Sequence, residues 1–154
     1  MTPPGSQASR SILLVEDNPD DALLLQRAFR KLGDESRIRV LNNGENALAY
    51  LAGEGDYADR VRFPLPDLML LDLKLPRRSG FEVLEWLRGQ PGLRRLPVVV
   101  LTGSREAADV ERAADLGANS YLVKPVGFEA LLELVAAFQS YWRLNEWPGL
   151  GTAL

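Results

Sequence analysis

Five short apolar runs, at residues 12–15, 38–41, 68–71, 98–101 and 120–123, are separated by stretches whose apolar residues recur at helical spacing. Most of these runs are apolar throughout instead of alternating, the mark of strands covered on both faces, as in parallel sheets with helical crossovers. The helical segments are 20–32, where Leu24, Leu25, Ala28, Phe29 and Leu32 share a face, then 46–51, 81–87, 107–116 and 128–141. Gly33, Gly53, Gly89 and Gly117 lie just past four of them as expected left-handed caps, and Asp20 behind Pro19 is the expected N-cap of the first. This five-fold β-α alternation predicts a doubly wound (βα)5 α/β sandwich with a five-stranded parallel sheet and helices on both faces.

Composition removes whole classes of chemistry. With 46% hydrophobic and 25% charged residues over 154 positions, the chain suits one globular domain. It has no cysteine, which excludes disulfides and thiol catalysis, and no histidine, which excludes imidazole acid-base chemistry, a Ser-His-Asp triad and His-ligated zinc. A net charge of -3, with Lys and Arg scattered, gives no electrostatic case for nucleic-acid binding. No apolar run approaches the ~20 residues of a membrane span, and no targeting segment is visible, so a cytoplasmic location is expected. Residues 1–10, rich in Pro, Gly and Ser, are expected to form a flexible tail. Two segments exceed the skeleton and are candidate contact surfaces: 53–66, with Tyr57 and Phe63, and 142–154, with Trp142, Trp147 and Pro148.

In open parallel sheets the ligand site lies beyond the carboxyl ends of the strands. Glu16 and Asp17 follow the first strand, Asp72 the third, Thr102 the fourth, and Lys124 with Pro125 the fifth. Each has an ordinary alternative: Asp17 beside a helix dipole, Asp72 in a turn, Thr102 as an N-cap, Lys124 as a solvated strand end. Their joint placement at one edge favours a site. Three clustered carboxylates repel one another, and hard oxygen ligands without Cys or His suit Mg²⁺, which also accepts a phosphate oxygen. Asp72 then becomes a candidate nucleophile forming an acyl phosphate, with metal, Lys124 and Thr102 stabilising the phosphoryl oxygens.

The segments ILLVEDNPD (12–20), LMLLDLKLPRRSG (68–80), VVVLT (98–102) and GANSYLVKP (117–125) resemble, in order and spacing, the receiver domain of bacterial two-component response regulators. The resemblance spans residues 11–142, with 143–154 as a C-terminal extension, and implies a CheY-like, flavodoxin-like fold. It implies that Asp72 is the phosphoacceptor for a sensor histidine kinase and that Glu16 and Asp17 form the acidic pair. The backbone carbonyl of Lys74 would complete the protein's share of Mg²⁺ ligation, and Lys124 would contact the phosphoryl group. Thr102 and Tyr121 become the switch pair, although Tyr121 also suits plain strand packing. The resemblance further implies a cis Lys124–Pro125 bond, and side chains at Lys74 and Ser104 placed to tune hydrolysis of the acyl phosphate. Such a protein signals and is not an enzyme beyond its own phosphorylation and dephosphorylation. Glu16 in place of the more frequent Asp, Leu75 in place of Met, and Gly103 in place of Ala are departures that remove no reacting group.

The long 53–66 connection and the segment SYWRLNEWP (140–148) resemble single-domain regulators that pair with phytochrome-type histidine kinases. This implies a homodimer using Tyr141, Trp142 and Trp147, although the tryptophans equally suit folding back on their own domain. Rival functions fit less well. A haloacid dehalogenase-type phosphotransferase needs a carboxylate two residues after Asp72, where Lys74 stands. A flavodoxin-type electron carrier needs a Ser/Thr/Gly-rich phosphate loop where this chain has EDNPDD. A degenerate receiver acting as a phosphorylation-independent protein-interaction module would lack one of Asp17, Asp72, Thr102 or Lys124, and all are present.

Overall fold

The computed structural model describes residues 10–150. The elements alternate as expected: β1 (Ser11–Val15), α1 (Pro19–Lys31), β2 (Arg37–Leu41), α2 (Gly44–Ala52), a 3₁₀ turn (Gly55–Ala58), β3 (Leu68–Leu71), α3 (Gly80–Arg88), β4 (Val98–Thr102), α4 (Ala107–Asp115), β5 (Ser120–Val123) and α5 (Phe128–Leu144). All strand pairs are parallel, in the order β2-β1-β3-β4-β5. The central strands β3 and β4 are buried at every residue, whereas the edge strands β2 and β5 are half-exposed. Burial on both faces is therefore what makes the central runs apolar without alternation.

Because side chains alternate across a strand, the sheet divides the core into two compartments. Leu13, Val15, Met69, Leu71 and Val98 pack with Ala47, Tyr50 and Leu51 of α2 and Val83, Leu84 and Leu87 of α3. Ile12, Leu14, Leu68, Leu70, Val99 and Leu101 pack on the other face with Ala22, Leu25, Ala28 and Phe29 of α1 and Val135 of α5. A smaller cluster of Leu73, Phe81, Val100 and Ala113 seats α4.

Local details correct several sequence expectations. Asn18, not Asp20, caps α1: its Oδ1 accepts from the Asp20 and Asp21 amides at 2.9 and 3.2 Å, with Pro19 at the first turn where its missing N–H costs nothing. Gly33, Gly53 and Gly117 are left-handed, but Gly89 is right-handed, because the chain continues into successive turns with Gly89 and Gln90 donating to Trp86 and Leu87. The Lys124–Pro125 bond is trans, as are all peptide bonds among the described residues. Trans is favoured by about 0.5–1 kcal/mol before proline, and Gly127, just ahead of α5, takes a positive φ of 92°.

The two candidate contact surfaces fold largely onto their own domain. Tyr57 and Phe63 pack around Tyr50 with ring centroids 5.0 and 6.2 Å away, and Arg60 donates to the carbonyls of Tyr50, Leu51 and Phe63. Trp142 stacks on Phe138, and Trp147 Nε1 donates to the Arg95 carbonyl at 2.6 Å. Of the expected terminal extensions, residues 1–9 and 151–154 lie outside the described residues.

The β3–α3 connection brings the chain back under Asp72. Arg77 and Arg78 take positive φ of 53° and 102°, and the Gly80 amide donates to Leu73 O at 3.0 Å. A Cβ at Gly80 would run into the Asp72 carbonyl and lie 2.8 Å from Leu73 Cα. Gly80→Ala is therefore expected to destabilise the protein by roughly 1–3 kcal/mol through overpacking, measured as a lower urea midpoint, and to displace Asp72.

Candidate functional site

The sheet order reverses between β1 and β3, whose following helices leave to opposite faces, and this opens a crevice at the strands' carboxyl ends. Glu16 and Asp17 enter it from β1, Asp72 from β3, Thr102 from β4 and Lys124 from β5. Glu16, Asp72 and Thr102 are 4%, 6% and 0% exposed, whereas Asp17 is exposed. One carboxylate oxygen each from Glu16, Asp17 and Asp72 lies within 4.8 Å of the others. These residues, with Lys74, Gly103 and Ser104, line a cleft of about 490 Å³.

Lys124 supplies the opposing charge. Its ammonium pairs with Glu16 Oε1, with Asp21 Oδ2 at 2.9 Å and with Asp72 Oδ2 at 3.0 Å. Burial alone would lower its pKa, but hydrogen bonds to Glu16, Asp21 and Asp72 outweigh that and raise it, so the ammonium keeps its proton. Burial pushes the Glu16 carboxyl up to about 7, against the pull of Lys124 and of the Asn18 amide, which donates to Glu16 Oε2 at 3.1 Å; the nearby Asp72 adds to the rise.

Thr102 Oγ1 is buried and has no hydrogen-bond partner among the described residues. A buried hydroxyl in that position carries an unmet hydrogen bond, which a ligand oxygen in the cleft would satisfy. The donor set fits a hard divalent cation: three carboxylates and no nitrogen or sulfur ligand. Glu16, Asp17 and Asp72 are the side chains that would hold it.

The structure thus brings together Glu16, Asp17, Asp72, Thr102 and Lys124. The Lys74 amide donates to Asp72 Oδ1 at 3.3 Å, while its ammonium turns away to Asp109 Oδ2 at 3.4 Å. Tyr121 does not bond to Thr102; its hydroxyl donates to the Ser104 carbonyl at 2.9 Å, tying β5 to the β4–α4 connection. Sequence reasoning missed Asp21 and Asp109. Asp21 had a signal, since a residue in the first turn of a helix leaving the sheet points back toward the strand ends. Asp109 had none beyond its place in the first turn of α4.

A parallel (βα)5 sandwich carrying a carboxylate cluster, a hydroxyl and a lysine at the carboxyl ends of its strands is the architecture of a signal receiver domain. Residues 12–136 match the response regulator receiver domain model, and the chain belongs to that family. It is 46% identical over 140 residues to the probable methanogenesis regulatory protein FilR2 of Methanothrix harundinacea, covering 90% of this chain and 87% of that protein. It is 37% identical over 137 residues to the response regulator Rcp1 of Synechocystis sp., covering 89% and 91%. The crystal structure of the Mn²⁺-bound form of Rcp1 aligns with a TM-score of 0.82 at 36% identity, covering 91% of this chain and 99% of that one. The phosphorylated cyanobacterial phytochrome response regulator RcpA aligns with a TM-score of 0.85 at 36% identity, covering 92% and 100%.

The Glu16 carboxyl sets a pH dependence. In the folded, metal-free protein it holds its proton to about 7, against about 4.5 for an ordinary glutamate, so the native state binds more protons than the unfolded chain in that window. Stability is then expected to fall as pH rises from about 4.5 to about 7. Urea midpoints measured without divalent ions across that range check this, and Glu16→Gln is expected to flatten the decline.

Proposed function

We propose that this protein is a two-component signalling protein whose Asp72 takes a phosphoryl group from the phosphohistidine of a sensor histidine kinase. The observation that carries the reading is the pairing at the cleft floor. A buried carboxylate lies 3.0 Å from a lysine ammonium, and the buried Thr102 hydroxyl lining the same cleft has no hydrogen-bond partner among the described residues. Asp72 attacks phosphorus, the bond from phosphorus to the kinase imidazole breaks, and the imidazole leaves with the electron pair. Lys124 and Thr102 supply the positive charge and the hydrogen bond that the phosphoryl oxygens need. Mg²⁺ held by Glu16, Asp17 and Asp72, with the Lys74 carbonyl, would neutralise the remaining charge.

Thr102 and Tyr121 form the switch in this reading. As the Thr102 hydroxyl turns to the phosphoryl group, the β4–α4 connection shifts, and the Tyr121 hydrogen bond to Ser104 transmits the shift to the surface of α4, β5 and α5. Hydrolysis of the acyl phosphate returns the resting state. Intact-protein mass spectrometry after incubation with acetyl phosphate tests the phosphoacceptor. One added phosphoryl unit is expected in wild type with Mg²⁺, and none without the metal or in Asp72→Asn. A wild type that neither gains the group nor binds beryllofluoride overturns the reading.

The partner kinase in this proposal is of the phytochrome type, supported by the likeness to RcpA, and it meets this protein in the cytoplasm. Among the described residues no helix is long and apolar enough to cross a membrane. In this proposal the protein is a homodimer through the α4–β5–α5 face and the C-terminal extension. Tyr141 is 61% exposed there, beside the exposed Leu144, and it lines a mainly apolar groove with Leu122, Leu134, Ala137 and Phe138. Light scattering is expected to report a dimer at micromolar concentration, and Tyr141→Asp a monomer with unchanged phosphorylation.

A further inference from the structure

Asp109, in the first turn of α4, joins the two connections that flank the phosphoacceptor cleft. Its Oδ2 accepts from Ser104 Oγ at 2.6 Å and pairs with Lys74 Nζ at 3.4 Å. Ser104 belongs to the β4–α4 connection and Lys74 to the β3–α3 connection, and both line the cleft above Asp72. The bridge is well anchored at the Ser104 end. The Ser104 carbonyl accepts from Tyr121 Oη at 2.9 Å, and the Ser104 hydroxyl also accepts from the Glu106 amide at 3.3 Å. The Asp109 side chain is 14% exposed, whereas that of Lys74 is 64% exposed. The carboxylate is therefore the fixed part of the pair and the lysine the part it recruits.

Geometry decides what this bridge controls. The Asp72 side chain is 7% exposed and forms the cleft floor. A phosphoryl group on it projects toward the mouth. Water that hydrolyses an acyl phosphate must approach in line, opposite the bond to the Asp72 oxygen, and hence through the mouth. There the water oxygen bonds to phosphorus, the bond from phosphorus to the Asp72 oxygen breaks, and the carboxylate leaves with the electron pair. The water's proton passes to the phosphate product or to solvent. We propose that Asp109 is a positioning residue that holds the Lys74 and Ser104 side chains together across the mouth, obstructs the in-line path of water, and so prolongs the phosphorylated state. The inference rests on Asp72 being the phosphoacceptor.

Asp109 touches neither the phosphoryl group nor the carboxylate cluster, so its loss leaves formation of the adduct intact and alters its decay. The experiment loads wild type, Asp109→Ala, Asp109→Asn, Ser104→Ala and the Asp109→Ala/Ser104→Ala double variant with acetyl phosphate and Mg²⁺. The donor is then removed, and decay is followed by intact mass. Asp109→Ala is expected to shorten the half-life about fivefold. Asp109→Asn, which keeps an acceptor for Ser104 but loses the charge that recruits Lys74, falls between it and wild type. The double variant decays no faster than Asp109→Ala, because both substitutions cut the same bridge. A half-life in Asp109→Ala and Asp109→Asn that is unchanged, or lengthened by a freed Lys74, overturns the proposal. Absence of any adduct in wild type defeats the phosphoacceptor reading, a result distinct from an adduct whose lifetime ignores Asp109.

Discussion

The contact on which the site depends is the Lys124 ammonium set among the carboxylates of Glu16, Asp21 and Asp72. Three acidic groups from two distant stretches of chain, residues 16–21 and Asp72, meet at one crevice, and low-dielectric surroundings strengthen both their repulsion and the attraction that offsets it. A half-buried lysine reaching from β5 toward β1, α1 and β3 turns this cluster from a source of strain into a cross-link. Removing one member of such an arrangement leaves uncompensated buried charge, which is far more harmful than losing an exposed ion pair. The same ammonium prepares the cleft for a third anionic group.

The sheet is what makes the arrangement affordable. The residues of the site stand at or just past the carboxyl ends of its strands, while Leu68–Leu71 and Val98–Thr102 are buried along their whole length. The strand register then fixes where Asp72 and Thr102 emerge, with Leu71 beside Val100 and Val15. Catalytic groups mounted on such ladders are held more closely than groups on loops. The loops do the remaining aiming, and here they carry the strain, in Arg77 and Arg78 at positive φ and in glycines where a Cβ does not fit.

Much of this was legible in the sequence. Apolar runs covered on both faces specify a parallel sheet almost without alternatives, and residues at strand ends are positioned by the sheet itself, so Glu16, Asp17, Asp72, Thr102 and Lys124 could be assembled before any coordinates. What depends on side-chain reach was not legible. Asp21 and Asp109 are ordinary acidic residues in first helical turns until the rotamers of Lys124, Lys74 and Ser104 are known. Backbone choices with nearly equal alternatives were read incorrectly: Asn18 and Asp20 are both good caps, the isomers of a prolyl bond lie close in energy, and Gly89 is free to take either hand. The aromatic tail was the ambiguous case, since Trp142 and Trp147 return to their own domain while Tyr141 faces outward.

The division of the core by the sheet has a consequence for how such a protein diversifies. The residues that seat α4 and Tyr121 lie in the cluster around Phe81 and Val100, while α1 and α5 rest on a separate apolar compartment across the sheet. Substitutions in compartments that share no packing partners combine nearly additively. The outer surfaces of α1 and α5 can therefore drift toward new recognition without retuning the machinery on the far side. A duplicated copy can acquire a different associate in few steps and still carry the inherited chemistry unchanged.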